Sequence, residues 1–297
     1  MKSTEAVSGI IEYLNQRDLK NADAAAHHDR PLYIGNQGIY ANYAGFSLGS
    51  LFQPIVTLND ESIPIAVAYE ALLAAHTSKG SLGLGSALSP EAIFSLQNGN
   101  TEITTLDRLA RTLHTLNFLL QDFTGALHLN VHPNHLLAVS ADHGQVFERI
   151  LRQCGLDPSS IVLEIPEYSI REKNRLRDAM RHWQSRGYKI AIDQLGYGHT
   201  QFERVLELKP DAIKIARPLV QDAVAKQREH DTLFKLIEKS KKHGVSIIAS
   251  GIETLEQQSL LIELGVTQLQ GYLYGLPTPQ CAAPLDVNDI RAEAVGA

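Results

Sequence analysis

The 297-residue chain has only two cysteines, Cys154 and Cys281. So low a count excludes a disulfide framework, and their separation offers no metal-ligand spacing. Positive charge is not in excess either. The 27 lysines and arginines stand against 33 aspartates and glutamates, for a net charge of −6. That balance argues against a surface for a nucleic-acid polymer and leaves room only for a local basic patch. No stretch is apolar for long enough to span a bilayer, and the opening MKSTEAVSGIIEYLNQRD lacks an apolar core of signal-peptide length. There is no internal repeat and no long low-complexity segment. The expected setting is a reducing cytoplasm, without membrane contact. What is present is an ordinary globular composition, 44% hydrophobic and 20% charged, sufficient for a large core.

Short β-prone runs recur along the chain: LFQPIV (51–56), VAYEALL (67–73), ALHLNV (126–131), IVLEIP (161–166), YKIAID (188–193), AIKIA (212–216), VSIIAS (245–250) and LQGYL (269–273). Most are separated by helical patterns. Leu106, Leu109, Leu113, Leu116 and Leu120 mark one face of the longest, and Ser89-Pro90-Glu91 reads as a helix start with cap, first-turn proline and first-turn acid. Strands alternating with helices predict a mainly parallel sheet covered by helices, and eight of them predict closure into a TIM-like barrel. The link between the first two runs is TLNDESIPIA, too short for a parallel crossover. The expected fold is thus an α/β modified TIM (β/α)8 barrel with an antiparallel first strand. Residues 1–47 read as an N-terminal extension with a short amphipathic helix around Ile10, Ile11 and Leu14, followed by a packing arm. Residues 48–285 read as the barrel domain, and 286–297 as a C-terminal tail.

Barrel enzymes carry their chemistry at the C-terminal ends of the strands. Here those ends hold Glu70, Asn130, Glu164, Asp193, Lys214, Ser250 and Gln270. One such group could be a satisfied buried polar side chain. Seven at equivalent positions point to a site, because each costs free energy unless paired. Three carboxylates and an amide oxygen form a hard-oxygen set suited to Mg²⁺, Mn²⁺ or Ca²⁺, and Lys214 could orient a water or contact a phosphate.

The ordered set LFQPIV, YEALL, LNV, LEIPE, AIDQLGYG, IKI, ASGIET and QGYLYGLP, covering about residues 48 to 280, resembles the EAL-domain family. That family comprises cyclic di-GMP phosphodiesterases and their catalytically dead relatives. The resemblance implies a modified TIM barrel, often dimeric, and Mg²⁺- or Mn²⁺-dependent cleavage of cyclic di-GMP to pGpG. It implies metal ligation by Glu70, Asn130, Glu164 and Asp193. Glu167 matches the glutamate that holds the loop after the acidic pair, and Lys214 the lysine near the attacking water. Gln53, Glu70, Leu72 and Gln270 match the ligand pocket.

The departures are as informative as the matches. Gln194 stands where the family pattern has a second aspartate, and Ser250 where it has a glutamate. Ala74 replaces a phosphate-binding arginine, and Ala216 an aspartate. Three acids balance one divalent ion but are poorly matched to two, which bring four positive charges. Losing a general base costs ~10²–10⁴-fold in rate. The expectation is a degenerate member with at most one Mg or Mn ion, weakened cyclic di-GMP binding, and a role as nucleotide receptor or regulator of a protein partner. The alternative is a residual metal-dependent phosphodiesterase, in which Lys214 and Glu167 keep their catalytic roles. A barrel enzyme for another substrate is a third reading, which the ordered motifs disfavour.

Other signals carry less. His128, His132 and His135 around LHLNVHPNH have no further ligand set converging on them and are assigned ordinary polar or packing roles. GSLGLGSALSP (80–90) lacks the spacing of a nucleotide loop and is assigned as a connector. KLIEKSKKH (235–243) reads as the solvated C-terminal end of a helix.

Overall fold

A computed structural model describes residues 4–21, 31–77, 87–97, 99–133, 142–196 and 202–286. The chain begins with α1 (Thr4–Asn21), β1 (Leu32–Gly35) and β2 (Gly38–Tyr43). A long hairpin follows, β3 (Phe46–Leu58) and β4 (Pro64–Thr77), and then β5 (Ala87–Leu88), α2 (Pro90–Ser95) and α3 (Asn100–Leu119). Next come β6 (Ala126–Asn130), α4 (Asp142–Cys154), β7 (Ile161–Pro166), α5 (Lys173–Ser185), β8 (Lys189–Leu195), α6 (Phe202–Leu206) and β9 (Ala212–Ile215). The last elements are α7 (Arg217–Ala225), α8 (Gln227–Lys242), β10 (Ser246–Ala249), α9 (Leu255–Glu263) and β11 (Gln268–Gln270).

The strands run in the order β1-β2-β3-β11-β10-β9-β8-β7-β6-β4-β5, and pairing of β3 with β4 closes the central eight into a barrel. β3 is antiparallel to both its barrel neighbours, whereas β4 and β6 through β11 pair in parallel. The expected reversed first strand is therefore present, and its cause is local. Between β3 and β4 the Asn59 side-chain oxygen accepts from the amides of Glu61 at 3.0 Å and Ile63 at 2.8 Å, which tightens a reversal too short for a crossover. The expected helix features are also present. Ser89 caps α2 by accepting from the Ala92 amide at 3.3 Å, and the lysine-rich segment ends α8.

Two cores result. The larger lies between barrel and helices and contains Leu127, Leu129, Leu163, Ile190, Ile192 and Ile213, the outward-facing residues of the strands. The second lies beyond the barrel, where the outer half of the β3–β4 hairpin carries β1, β2 and β5. Val7, Ile11 and Leu14 of α1 pack there with Leu48, Leu73, Ala75 and the apolar face of α3. Two asparagines stitch this layer together. Asn15 donates to the Leu32 carbonyl at 2.9 Å and accepts from its amide at 3.1 Å. Asn117 does the same for Ile39, at 2.8 Å in both directions, and also donates to Ser50 Oγ at 3.1 Å. The linker DAAAHHDR, most of the glycine-rich connector, His135 and nearly all of the C-terminal tail lie outside the described residues.

Inside the barrel a small plug of Ile55, Ala68, Val162, Ala191, Ala212 and Ile248 fills the floor. Side chains alternate across a strand with period two. The residues two positions further along the parallel strands are Glu70, Glu164, Asp193, Lys214 and Ser250, and two positions back along antiparallel β3 stands Gln53. One polar ring therefore lies directly above the plug.

Candidate functional site

Lys214 lies at the centre of that ring, buried at 3% exposure. Its Nζ donates to Glu70 Oε2 at 2.6 Å and to Glu164 Oε2 and Oε1 at 2.9 and 3.1 Å. Glu70 also accepts from Asn130 Nδ2 at 2.9 Å and from Gln270 Nε2 at 2.8 Å. Gln270 donates in addition to Gln53 Oε1 at 3.3 Å, and Gln53 to the Gly275 carbonyl at 3.2 Å. Glu164 is fully buried and accepts from His128 Nδ1 at 2.7 Å.

Charge and burial divide the acids. Burial opposes ionisation of Glu164, but the Lys214 charge and the hydrogen bonds from His128 and Lys214 outweigh it and hold its pKa down to about 2. Burial likewise disfavours a charged Lys214, and the three neighbouring carboxylates overcome this and raise its pKa. Asp193 goes the other way. Burial dominates there, only partly offset by Lys214 and reinforced by Glu164 and Glu70, and pushes the carboxyl up to about 7.

Above the ring opens a cleft of about 390 Å³. Gln53, Glu70, Asp193, Gln194, Lys214, Ser250 and Gln270 line it, as does Ala216. Gln194 holds a left-handed φ of 61°, where the β8–β9 register shifts, and its side chain is exposed at the rim. Ser250 donates to the Ile215 carbonyl at 2.6 Å. Glu167 is buried in the 3₁₀ turn Glu167–Glu172 after β7, outside the cleft lining, and Leu72 is half-buried further along β4.

Three rim residues carry no role in the sequence reading: Arg217, Glu253 and Tyr272. Arg217 Nη2 pairs with Glu253 Oε1 at 2.6 Å. The Arg217 stem lies against Gly251, whose φ is 76°, and a Cβ there would meet the Arg217 Cβ at 2.3 Å. They sit just past the strand ends, Arg217 as the first residue of α7 and Glu253 and Tyr272 in connecting segments, where no periodicity marks them. His128 has a polar role, of the kind the sequence assigns it: it shares the inward face of β6 with Asn130 and hydrogen-bonds Glu164. Counting two residues back from Asn130 finds it. His132 keeps a packing role: β6 stops at Asn130, the His132 amide donates to Asp107 at 2.8 Å and its ring stacks on Phe94.

The donor set brought together by Glu70, Asn130, Glu164 and Asp193 is chemically suited to a hard cation. Among the described residues, however, no three His, Cys, Asp or Glu side chains converge as metal-ion ligands. The Lys214 ammonium lies between Glu70 and Glu164. No helix of the described residues is long and apolar enough to cross a membrane.

Comparison with known proteins agrees with this fold. The chain is 28% identical to the probable cyclic di-GMP phosphodiesterase PdeI of Escherichia coli K12 over 278 residues, which is 92% of this chain and 34% of that protein. It is 28% identical to the cyclic di-GMP phosphodiesterase NbdA of Pseudomonas aeruginosa over 82% of this chain and 30% of the relative. The chain thus spans about a third of the length of these curated relatives. Among solved structures, the PaMucR phosphodiesterase in complex with c-di-GMP matches with a TM-score of 0.67 at 22% identity, covering 78% of this chain and 92% of that one. The manganese/cyclic-di-GMP complex of Klebsiella pneumoniae BlrP1 matches with a TM-score of 0.68 at 21% identity, over 80% of this chain and 59% of that one. These likenesses establish the fold. The EAL domain profile matches residues 46–277, the whole barrel from the first residue of β3 onward, and the chain belongs to the EAL domain family.

Proposed function

We propose that this chain is a degenerate EAL module of cyclic di-GMP signalling, which binds the dinucleotide weakly and hydrolyses it slowly or not at all. Its role is that of a nucleotide receptor or a regulator of a protein partner, in the dimeric form its family often takes. Residues 48–285 form the working unit and residues 1–47 an extension of it. Relatives named as cyclic di-GMP phosphodiesterases, and solved relatives holding the dinucleotide, support the ligand class.

One observation carries the reading of impaired chemistry. The cleft has an amide at Gln194 and a hydroxyl at Ser250 where the family pattern places acids, and that hydroxyl is spent on the Ile215 carbonyl. Three carboxylates and one ammonium remain, and one of those carboxyls, Asp193, is raised to about 7 and so is partly neutral near physiological pH. Such a floor balances one divalent ion at most, held by Glu70, Asn130, Glu164 and Asp193 once Lys214 has moved aside. A bound Mg²⁺ or Mn²⁺ would supply polarisation of a phosphate oxygen or a water. Without an activating partner Ser250 is no general base near neutral pH. Recognition is a separate matter from turnover. Gln53, Glu70 and Gln270, already joined by hydrogen bonds, present polar atoms to a nucleotide.

A second reading is favoured by the retention of four metal-type donors and Lys214 in a single ring: a residual Mn²⁺-dependent phosphodiesterase. Calorimetry with cyclic di-GMP, with and without divalent ions, tests binding. An assay for pGpG at high protein concentration, with Mg²⁺ and then Mn²⁺, tests turnover. Robust turnover abolished by Glu70→Ala would reject the impaired module.

A further inference from the structure

All four carboxylate oxygens of Glu70 and Glu164 are occupied by donors of the chain itself. Asn130 takes Glu70 Oε1, while Lys214 and Gln270 share Oε2. His128 and Lys214 share Glu164 Oε1, and Lys214 takes Oε2. These donors come from β6, β9 and β11, and three of them are almost fully buried: Lys214 and His128 at 3% exposure and Gln270 at 2%. The bridging contacts are charge-assisted and lie at 2.6–3.1 Å. A divalent ion approaching Glu70 and Glu164 would have to displace an ammonium from both and an imidazole N–H from one. The ring has been given a cation by the fold.

We propose that Lys214 is the resident cation of this mouth, that His128 is a positioning residue which fixes Glu164 for it, and that the mouth therefore takes a phosphodiester dinucleotide without any divalent metal. This rests on the reading of the cleft as a cyclic di-GMP site only in its final clause. The occupancy of the ring by Lys214 and His128 stands on the hydrogen bonds alone. Lys214 belongs to the set implied by the resemblance, and His128, bonded to Glu164, is the addition to it.

The test separates the two clauses. Mn²⁺ alone is titrated into the full chain at pH 7.5, followed by the electron paramagnetic resonance of free Mn²⁺, for wild type, His128→Leu, His128→Asn, Lys214→Met and Lys214→Met/Glu164→Gln. Wild type is expected to show no site tighter than about 1 mM. Lys214→Met should gain one site, which the added Glu164→Gln abolishes. His128→Leu removes one of the two donors on Glu164 Oε1, leaving Lys214 there, and should strengthen Mn²⁺ binding by about tenfold to a hundredfold. His128→Asn, whose amide can donate from the position of Nδ1, should return affinity toward wild type. A purely structural histidine would not give that order. Should Lys214→Met be poorly stable, a rise in its melting temperature on adding Mn²⁺ reports the same site by linkage. A tight wild-type Mn²⁺ site lost with Glu164→Gln, or equal behaviour of His128→Leu and His128→Asn, would overturn the assignment. In the second arm cyclic di-GMP is titrated in chelator and in Mn²⁺. Equal affinity supports metal-free binding, and binding only in Mn²⁺ refutes it. Absence of binding in both would sink the dinucleotide reading, while the Mn²⁺ arm still decides the role of Lys214 and His128.

Discussion

Replacing Lys214 by methionine keeps most of the side-chain volume while removing the charge, so the loss should be electrostatic and not a cavity effect. Lys214 makes three hydrogen bonds to two acids, one of them fully buried. In the variant Glu164 keeps only His128, and Glu70 keeps Asn130 and Gln270. Removing one partner of a buried ion pair costs about 3–5 kcal/mol. One ammonium serving two carboxylates places the expected loss at the upper end of that range. The sign of the pH dependence follows. Without the lysine, burial raises the folded-state pKa of Glu164 above its unfolded value. Its stability contribution is then retained at low pH and lost as pH rises through the raised value. The deficit relative to wild type should therefore be largest near pH 8 and shrink toward pH 5. Urea unfolding at equilibrium, in chelator, at both pH values measures it through the midpoint at constant slope. A deficit below about 1 kcal/mol at pH 7.5, or one equal at pH 5 and pH 8, would refute the claim that two desolvated acids depend on this one ammonium.

Asp193→Asn should flatten the pH dependence of stability. The carboxyl is raised from 3.8 to about 7, so its contribution is complete below pH 3.8, declines as pH rises, and is gone above about 7. The asparagine variant should gain on wild type by pH 8 and lose that gain below pH 4, as read from urea midpoints across the range. Ala74→Arg, which restores a guanidinium to β4, should strengthen cyclic di-GMP binding by about tenfold to a hundredfold in calorimetry. Gln194→Asp combined with Ser250→Glu should create a divalent-ion site that the wild type lacks, detectable by calorimetry, and its failure to appear would show that anionic charge is not what limits the cleft. Asn117→Ala strips the buried amide and carbonyl of Ile39 of their partners and should cost about 2–4 kcal/mol in denaturant unfolding.

The barrel was legible because its strands announce themselves twice: as β-prone runs, and as alternating faces that each end on one inward polar residue. The antiparallel strand followed from a link too short for any other connection. The N-terminal layer was not legible to the same degree. β1 and β2 are short and rich in tyrosine and glycine, and β2 is held by Asn117, 78 residues away from Ile39, a contact no local pattern encodes. In the site, the strand-end positions of Glu70, Glu164, Asp193 and Lys214 could be read directly. Their bonding could not. The Lys214–Glu70 contact joins residues 144 apart and exists only because the sheet closes. His128 was within reach of the same two-residue count that locates Asp193, but a histidine-rich neighbourhood points first to metals and not to a carboxylate partner.

The two strands of the long hairpin are paired at thirteen positions, from Phe46 with Thr77 to Leu58 with Pro64, broken by one bulge between Ile55 and Val56. Gln53 and Glu70 face each other in the middle of that ladder, and Leu48, Leu73 and Ala75 anchor its far end in the outer core against α1. No joint separates the two regions. Tilting the N-terminal layer would mean flexing a continuous ribbon, and the first polar pair such a flexure reaches inward of Leu48 and Ala75 is the one that borders the cleft.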